Sequence, residues 1–133
     1  MYLPSEKGIY FVFVGKVIDD PIFKMPEPRL LYIGEAKDIC DRHNYDDGTP
    51  KHEHYLDFYK ACKEGEQIAY AYALLPGIEY TRKLIESALI YQFQPPINVS
   101  STYNFNHRKT ILQIDSEPNM EFPLNGIFTV EGI

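Results

Sequence analysis

Two β-forming runs, each carrying a tyrosine close to a glycine, limit what this chain can fold into. Residues 8–18 (GIYFVFVGKVI) alternate and are rich in Val, Ile, Phe and Tyr, the pattern of a strand. Residues 29–34 (RLLYIG) read as a second strand. The segment between them, 19–29, carries three prolines and reads as a loop or flap. Parallel strands need a long, usually helical crossover. The short connection therefore predicts an antiparallel pair. Gly8-Ile9-Tyr10 and Tyr32-Ile33-Gly34 then place a phenol near a glycine on each strand, where backbone can approach a ligand closely.

The rest of the chain is expected to add helices and one more strand. Residues 38–43 begin a helical stretch with Asp38 as N-cap. Residues 45–50 are a turn by composition. Over 51–64, Tyr55, Phe58, Tyr59 and Cys62 recur at helical spacing, and Gly65 is placed to cap the C-terminus. Residues 67–75 alternate large with small side chains and predict a central strand covered on both faces. Residues 79–93 give the strongest helical pattern, stopped by Pro95-Pro96. Residues 110–115 and 126–131 read as an added hairpin or as edge strands. The predicted class is α+β. One domain is expected, with a core at 1–98 and a C-terminal extension, 99–133, packed on it.

Eleven tyrosines, eight phenylalanines and no tryptophan suit a core that borders a polar cleft. The net charge of −6 argues against a broad nucleic-acid-binding surface but leaves room for a local cationic site. Two cysteines and no secretory pattern predict a cytoplasmic protein, and no apolar run reaches the ~20 residues that span a bilayer.

Three polar residues stand out. Glu86 projects inside the apolar arc of its helix, where a carboxylate needs a partner. That partner is either Arg82, at i−4, or a metal ion. Arg42 either bridges Asp38 or clamps a phosphate with its guanidinium fork. Asn98, after Pro95-Pro96-Ile97, either braces a turn or orients a water. Cys40, His43, His52, His54 and Cys62 invite a zinc reading. It is disfavoured because His52 and His54 are expected to diverge on a helix and Cys62 fits an apolar stripe.

Taken in order, Gly8-Ile9-Tyr10, Tyr32-Ile33-Gly34, Arg42, Glu86 and Asn98 resemble the GIY-YIG nuclease family. The run from Tyr32 to Ile39 with Arg42 is similar to the incision domain of bacterial excision-repair nucleases. The resemblance implies a small three-stranded antiparallel sheet flanked by helices. It implies hydrolysis of a nucleic-acid phosphodiester with Mg²⁺, or Mn²⁺, held by Glu86. Tyr10 would be the general base, Tyr32 would support it, Arg42 would clamp the phosphate, and Asn98 would support a loop or water. Gly34, Lys37, Tyr45 and His54 would contact substrate, Lys37 or the metal favouring the ionised phenol. DNA is the expected partner ahead of RNA, with a homodimer or protein partner supplying specificity. Four residues after the arginine, where many members carry His or Tyr, this chain has Asp46, so either Tyr45 or His54 takes that role or activity is reduced. The rival reading is a family member that binds nucleic acid or protein without cutting.

Overall fold

A computed structural model describes residues 3–18, 25–46, 48–99, 102, 104–117 and 122–132, with only the backbone at Tyr45 and Asp46. Strand β1 (Gly8–Lys16) is the centre of a three-stranded antiparallel sheet. It lies between β2 (Arg29–Ala36) and β5 (Glu66–Leu74). Between β2 and β5 come α1 (Ile39–Arg42), a two-strand ribbon of β3 (Tyr45–Asp46) and β4 (Thr49–Pro50), and α2 (Tyr55–Ala61). Helix α3 (Glu79–Phe93) follows, then β6 (Thr110–Ile114) and β7 (Gly126–Val130), which pair as an antiparallel hairpin. The fold is α+β. Among the described residues no helix is long and apolar enough to cross a membrane.

The central position belongs to β1 and not to residues 67–75, which the alternation of large and small side chains had suggested. The reason is burial on both faces. Every residue from Gly8 to Gly15 is buried, and large side chains point both ways: Ile9, Phe11 and Phe13 to one face, Tyr10, Val12 and Val14 to the other. β5 alternates tyrosine with alanine, and its far end is open, with Tyr72 and Leu74 both 43% exposed.

The two faces divide the work. One packs Ile9, Phe11, Phe13 and Ile33 against Ala88, Leu89 and Ile90 of α3 and against Leu112 and Val130 of the hairpin. Phe105, Leu112 and Val130 thus share the core of the sheet. The other face packs Tyr10, Val12, Val14 and Leu31 against Ile39 and Phe58 from α1 and α2.

Local chemistry sets the ends of the elements. Asp38 caps α1 as expected, its Oδ1 accepting the Asp41 N–H at 2.9 Å. α2 is shorter than the 51–64 pattern because the chain before it turns, with the His54 N–H held by the His52 ring at 3.1 Å. Cys62 ends the helix in an extended conformation, and Gly65, at φ 79°, serves the turn into β5. The 45–50 turn is the tight β3–β4 ribbon around Gly48.

Arg82 is 2% exposed and fastens α3 to the sheet. Its Nε donates to Glu35 Oε1 at 2.9 Å, and its Nη1 donates to the Gly77 carbonyl. A buried guanidinium is tolerated only when its charge and donors are matched this way. Glu35, not Glu86, is therefore the partner of Arg82.

Candidate functional site at the outer edge of β2

The site is built around Gly34. Tyr10 and Gly34 are direct cross-strand partners. A Cβ at position 34 would fall 2.3 Å from the Tyr10 Cζ and Oη atoms. Glycine is what lets the phenol lie flat across β2 and reach toward the strand's outer edge. Gly8 is equally constrained, since a Cβ there would fall 2.2 Å from the Ala73 carbonyl oxygen.

That edge is held by Asn98. Its Nδ2 donates to the Ile33 carbonyl at 2.8 Å, and its Oδ1 accepts the Ile33 N–H at 2.9 Å. The Ile97 N–H donates to the Leu31 carbonyl beside it. The amide that the sequence offers as a turn brace or water ligand is thus a two-point clasp on the residue between Tyr32 and Gly34. It positions the strand and has both polar atoms engaged.

Tyr10, Tyr32, Arg42 and Glu86 converge here from four elements. Tyr10 and Tyr32 stack with centroids 6.1 Å apart. Arg42 interacts electrostatically with both the Tyr10 and the Tyr32 phenols. Its Nη2 also lies 3.3 Å from Glu53 Oε1, so it makes that contact rather than the bridge to Asp38. Glu86 comes from α3 and interacts electrostatically with the Glu35 backbone N–H, with both phenols and with Arg42. Burial raises the Glu86 carboxyl above the usual range, with Lys83 and the Glu35 N–H opposing the rise.

The phenols are not alike. Tyr10 is 1% exposed, and burial, reinforced by Tyr32, raises its phenol well above the usual value. Tyr32 is half-buried. Burial, then Glu53 and Glu86, raise its phenol, while Arg42 and a hydrogen bond from Tyr10 oppose the rise. Lys37, expected to act on the phenols, is exposed on the bend after β2. Among the described residues the cation coupled to both phenols is Arg42.

Two histidines complete the cluster, and the sequence reading undervalued both. His52 is 4% exposed, and its Nε2 lies 2.7 Å from Tyr10 Oη. His43 stacks on His52 at 5.1 Å and meets Tyr10 edge-on at 4.5 Å. Burial keeps both rings neutral, lowering His43 to about 4 and His52 to about 3, with the Arg42 charge adding to the effect. His52 precedes α2, so the argument that it diverges from His54 along a helix does not apply. The two rings lie 5.9 Å apart, and the His54 ring is 5.0 Å from Tyr32. The Tyr45 side chain and that of Asp46 lie outside the described residues. Beyond His54, a groove of about 550 Å³ runs between α2 and residues 96–99, with Arg29 and Lys60 on its walls.

Among the described residues no three His, Cys, Asp or Glu side chains gather to hold a metal. The donor set at Glu86 suits Mg²⁺ or Mn²⁺ of the kind held by one carboxylate plus water and substrate oxygens. The neighbouring carboxylate, Glu35, is committed to Arg82 and Lys83. Comparison with protein-family models, curated proteins and solved structures gave no match for this chain.

Proposed function

We propose that this protein is a divalent-metal-dependent endonuclease of the GIY-YIG type, acting on DNA in preference to RNA. The observation that carries the proposal is the convergence of Tyr10, Tyr32, Arg42 and Glu86 around Gly34, which are residues 76 positions apart in sequence at the extremes (86 − 10). The three-stranded sheet with β1 central is compatible with that fold. The free thiols of Cys40 and Cys62 suit a reducing compartment such as the cytoplasm.

Each side chain has a role in hydrolysis. Arg42 is a fork-shaped cation that stays charged, and it binds the non-bridging oxygens of the scissile phosphate. Glu86 would hold Mg²⁺ or Mn²⁺, and such an ion supplies positive charge to the leaving oxygen and beside the phenols. A phenol that has first released its own proton to solvent, as the ion's charge would favour, takes the proton of the attacking water. The water oxygen bonds to phosphorus, the P–O bond to the leaving group breaks, and that oxygen is protonated from solvent. Asn98 and Gly34 keep β2 and the Tyr10 ring in register.

Incubation of the full chain with supercoiled plasmid, single-stranded DNA and structured RNA, with Mg²⁺ or Mn²⁺ at low salt, tests this. Cleavage abolished by chelation is expected, and DNA should be cut faster than RNA. A folded protein that cuts none of the three substrates contradicts the proposal. Saturable binding without cutting would instead favour a binding module.

A further inference from the structure

A second cavity lies beside the cleft, with His43 and His52 in its wall. It has a volume of about 340 Å³, and its other lining residues include Tyr55, Tyr70, Leu3 and Ile68. Val12 pairs with Tyr32 on one side and with Tyr70 on the other, so the cleft and this cavity share one face of the sheet. Both ring nitrogens of His52 are engaged. The His54 N–H donates to its Nδ1 at 3.1 Å, so the neutral ring carries its proton on Nε2, which donates to Tyr10 Oη at 2.7 Å. His43 differs. Its ring packs against His52, Tyr10 and Tyr70, the last at 4.6 Å. Its Nε2 is nonetheless buried and, among the described residues, hydrogen-bonds nothing. A buried ring nitrogen without a partner is uncommon because it is costly.

The lining decides what the cavity suits. With both imidazoles neutral, none of its side chains carries a formal charge. That disfavours a phosphate as occupant. Flat rings in the walls favour a flat, uncharged ring between them. The volume is at the lower end for small-molecule sites, about 300–1,000 Å³, which leaves room for one heterocycle and none for a duplex. Arg42 directly precedes His43, and its charge acts on both imidazoles, so a phosphate held there lies beside the cavity. We propose that the cavity takes one unpaired nucleobase of the strand whose neighbouring phosphate binds Arg42; the assignment rests on the nuclease reading above. The His43 ring torsion is soft, and a small turn presents its bare nitrogen to the edge of the base. A base must leave its stack and its partner to enter such a pocket. The substrate class is therefore single-stranded or distorted DNA ahead of intact duplex.

The test titrates the full chain, in chelator so that nothing is cut, with oligothymidylate, with an abasic oligonucleotide of the same length and with free thymidine. By anisotropy at low salt, oligothymidylate is expected to bind about tenfold more tightly than the abasic chain. It should also shift the NMR signals of the His43 and Tyr70 rings, which the abasic chain leaves in place. Tyr70→Leu, checked for fold by circular dichroism, should bring the two affinities within about twofold of each other. Equal affinity of the native chain for both oligonucleotides, or His43 and Tyr70 signals that oligothymidylate does not move, overturns the proposal. Ring shifts with thymidine but not with oligothymidylate assign the cavity to a free ligand and overturn it as well. Base-dependent binding at His43 with no cleavage of any nucleic acid refutes the nuclease reading and leaves the base site standing. Metal-dependent cleavage with no base dependence does the reverse.

Discussion

Tyr10 and His52 lie 42 residues apart in sequence and share a buried hydrogen bond of 2.7 Å. The bond ties the central strand to the start of α2, so it serves stability as well as the site. His52→Leu removes the donor and leaves a buried phenol oxygen with one partner fewer. The expected cost is about 1–3 kcal/mol, read from the midpoint of urea unfolding with an unchanged slope.

The same imidazoles make the fold sensitive to acid. His43 and His52 have folded values of about 4 and about 3, below the ordinary 6.5. Their contribution is complete above the unfolded value and is lost as pH falls from about 6.5 toward 4, because the unfolded chain binds the protons first. Each neutral histidine contributes a slope of up to about 1.4 kcal/mol per pH unit in that window. Urea unfolding between pH 7 and pH 4.5 should show falling stability, and His52→Leu should roughly halve the slope. A flat profile would mean that the rings are not buried neutral.

Gly34→Ala should damage the site through sterics alone. The new methyl would fall 2.3 Å from the Tyr10 phenol oxygen, and Tyr10 is enclosed on its other sides. Overpacking of this kind costs about 1–3 kcal/mol. The tyrosine near-ultraviolet circular dichroism should change while far-ultraviolet signal is kept.

The Arg82–Glu35 pair has side chains 3% and 6% exposed, so losing one partner strands a buried charge. Arg82→Met is expected to cost about 3–5 kcal/mol by urea unfolding. The double variant Arg82→Met with Glu35→Leu should cost less than the sum of the two single changes.

Glu53 is exposed and sits 3.3 Å from Arg42, where a phosphate would bind. Glu53→Gln removes the competing anion. Affinity for a fluorescent single-stranded oligonucleotide, read by anisotropy at low salt, should rise several-fold. The gain should shrink as added salt screens these exposed charges. Unchanged affinity would place the bound phosphate away from Arg42.

Much of the architecture was legible because it rests on local patterns. Alternation marked β1 and β2, the proline pair marked the end of α3, and Asp38 marked the start of α1. The order of strands was not legible, because it depends on which strand is buried on both faces by elements distant in sequence. Glu86 was flagged by its place in an apolar arc, yet its contacts with the Glu35 N–H and the phenols depend on how α3 docks on β2. His52 was missed for a similar reason. A histidine read as part of the 51–64 helix looks like a surface residue until the fold brings Tyr10 of β1 against it. The signal available was the density of histidine in 43–54, which suggested metal chemistry and not a hydrogen-bond partner for a phenol.

The central claim is that the cluster around Gly34 cleaves phosphodiesters with a divalent ion held by Glu86. The most direct measurement compares the full chain with Glu86→Gln in nicking supercoiled plasmid at low salt with Mn²⁺, both proteins first shown to be folded. The account predicts nicking by the native chain that chelation abolishes, and a loss of at least about 10²-fold in Glu86→Gln. Equal nicking by both proteins, or none by the native chain on any nucleic acid, would contradict it.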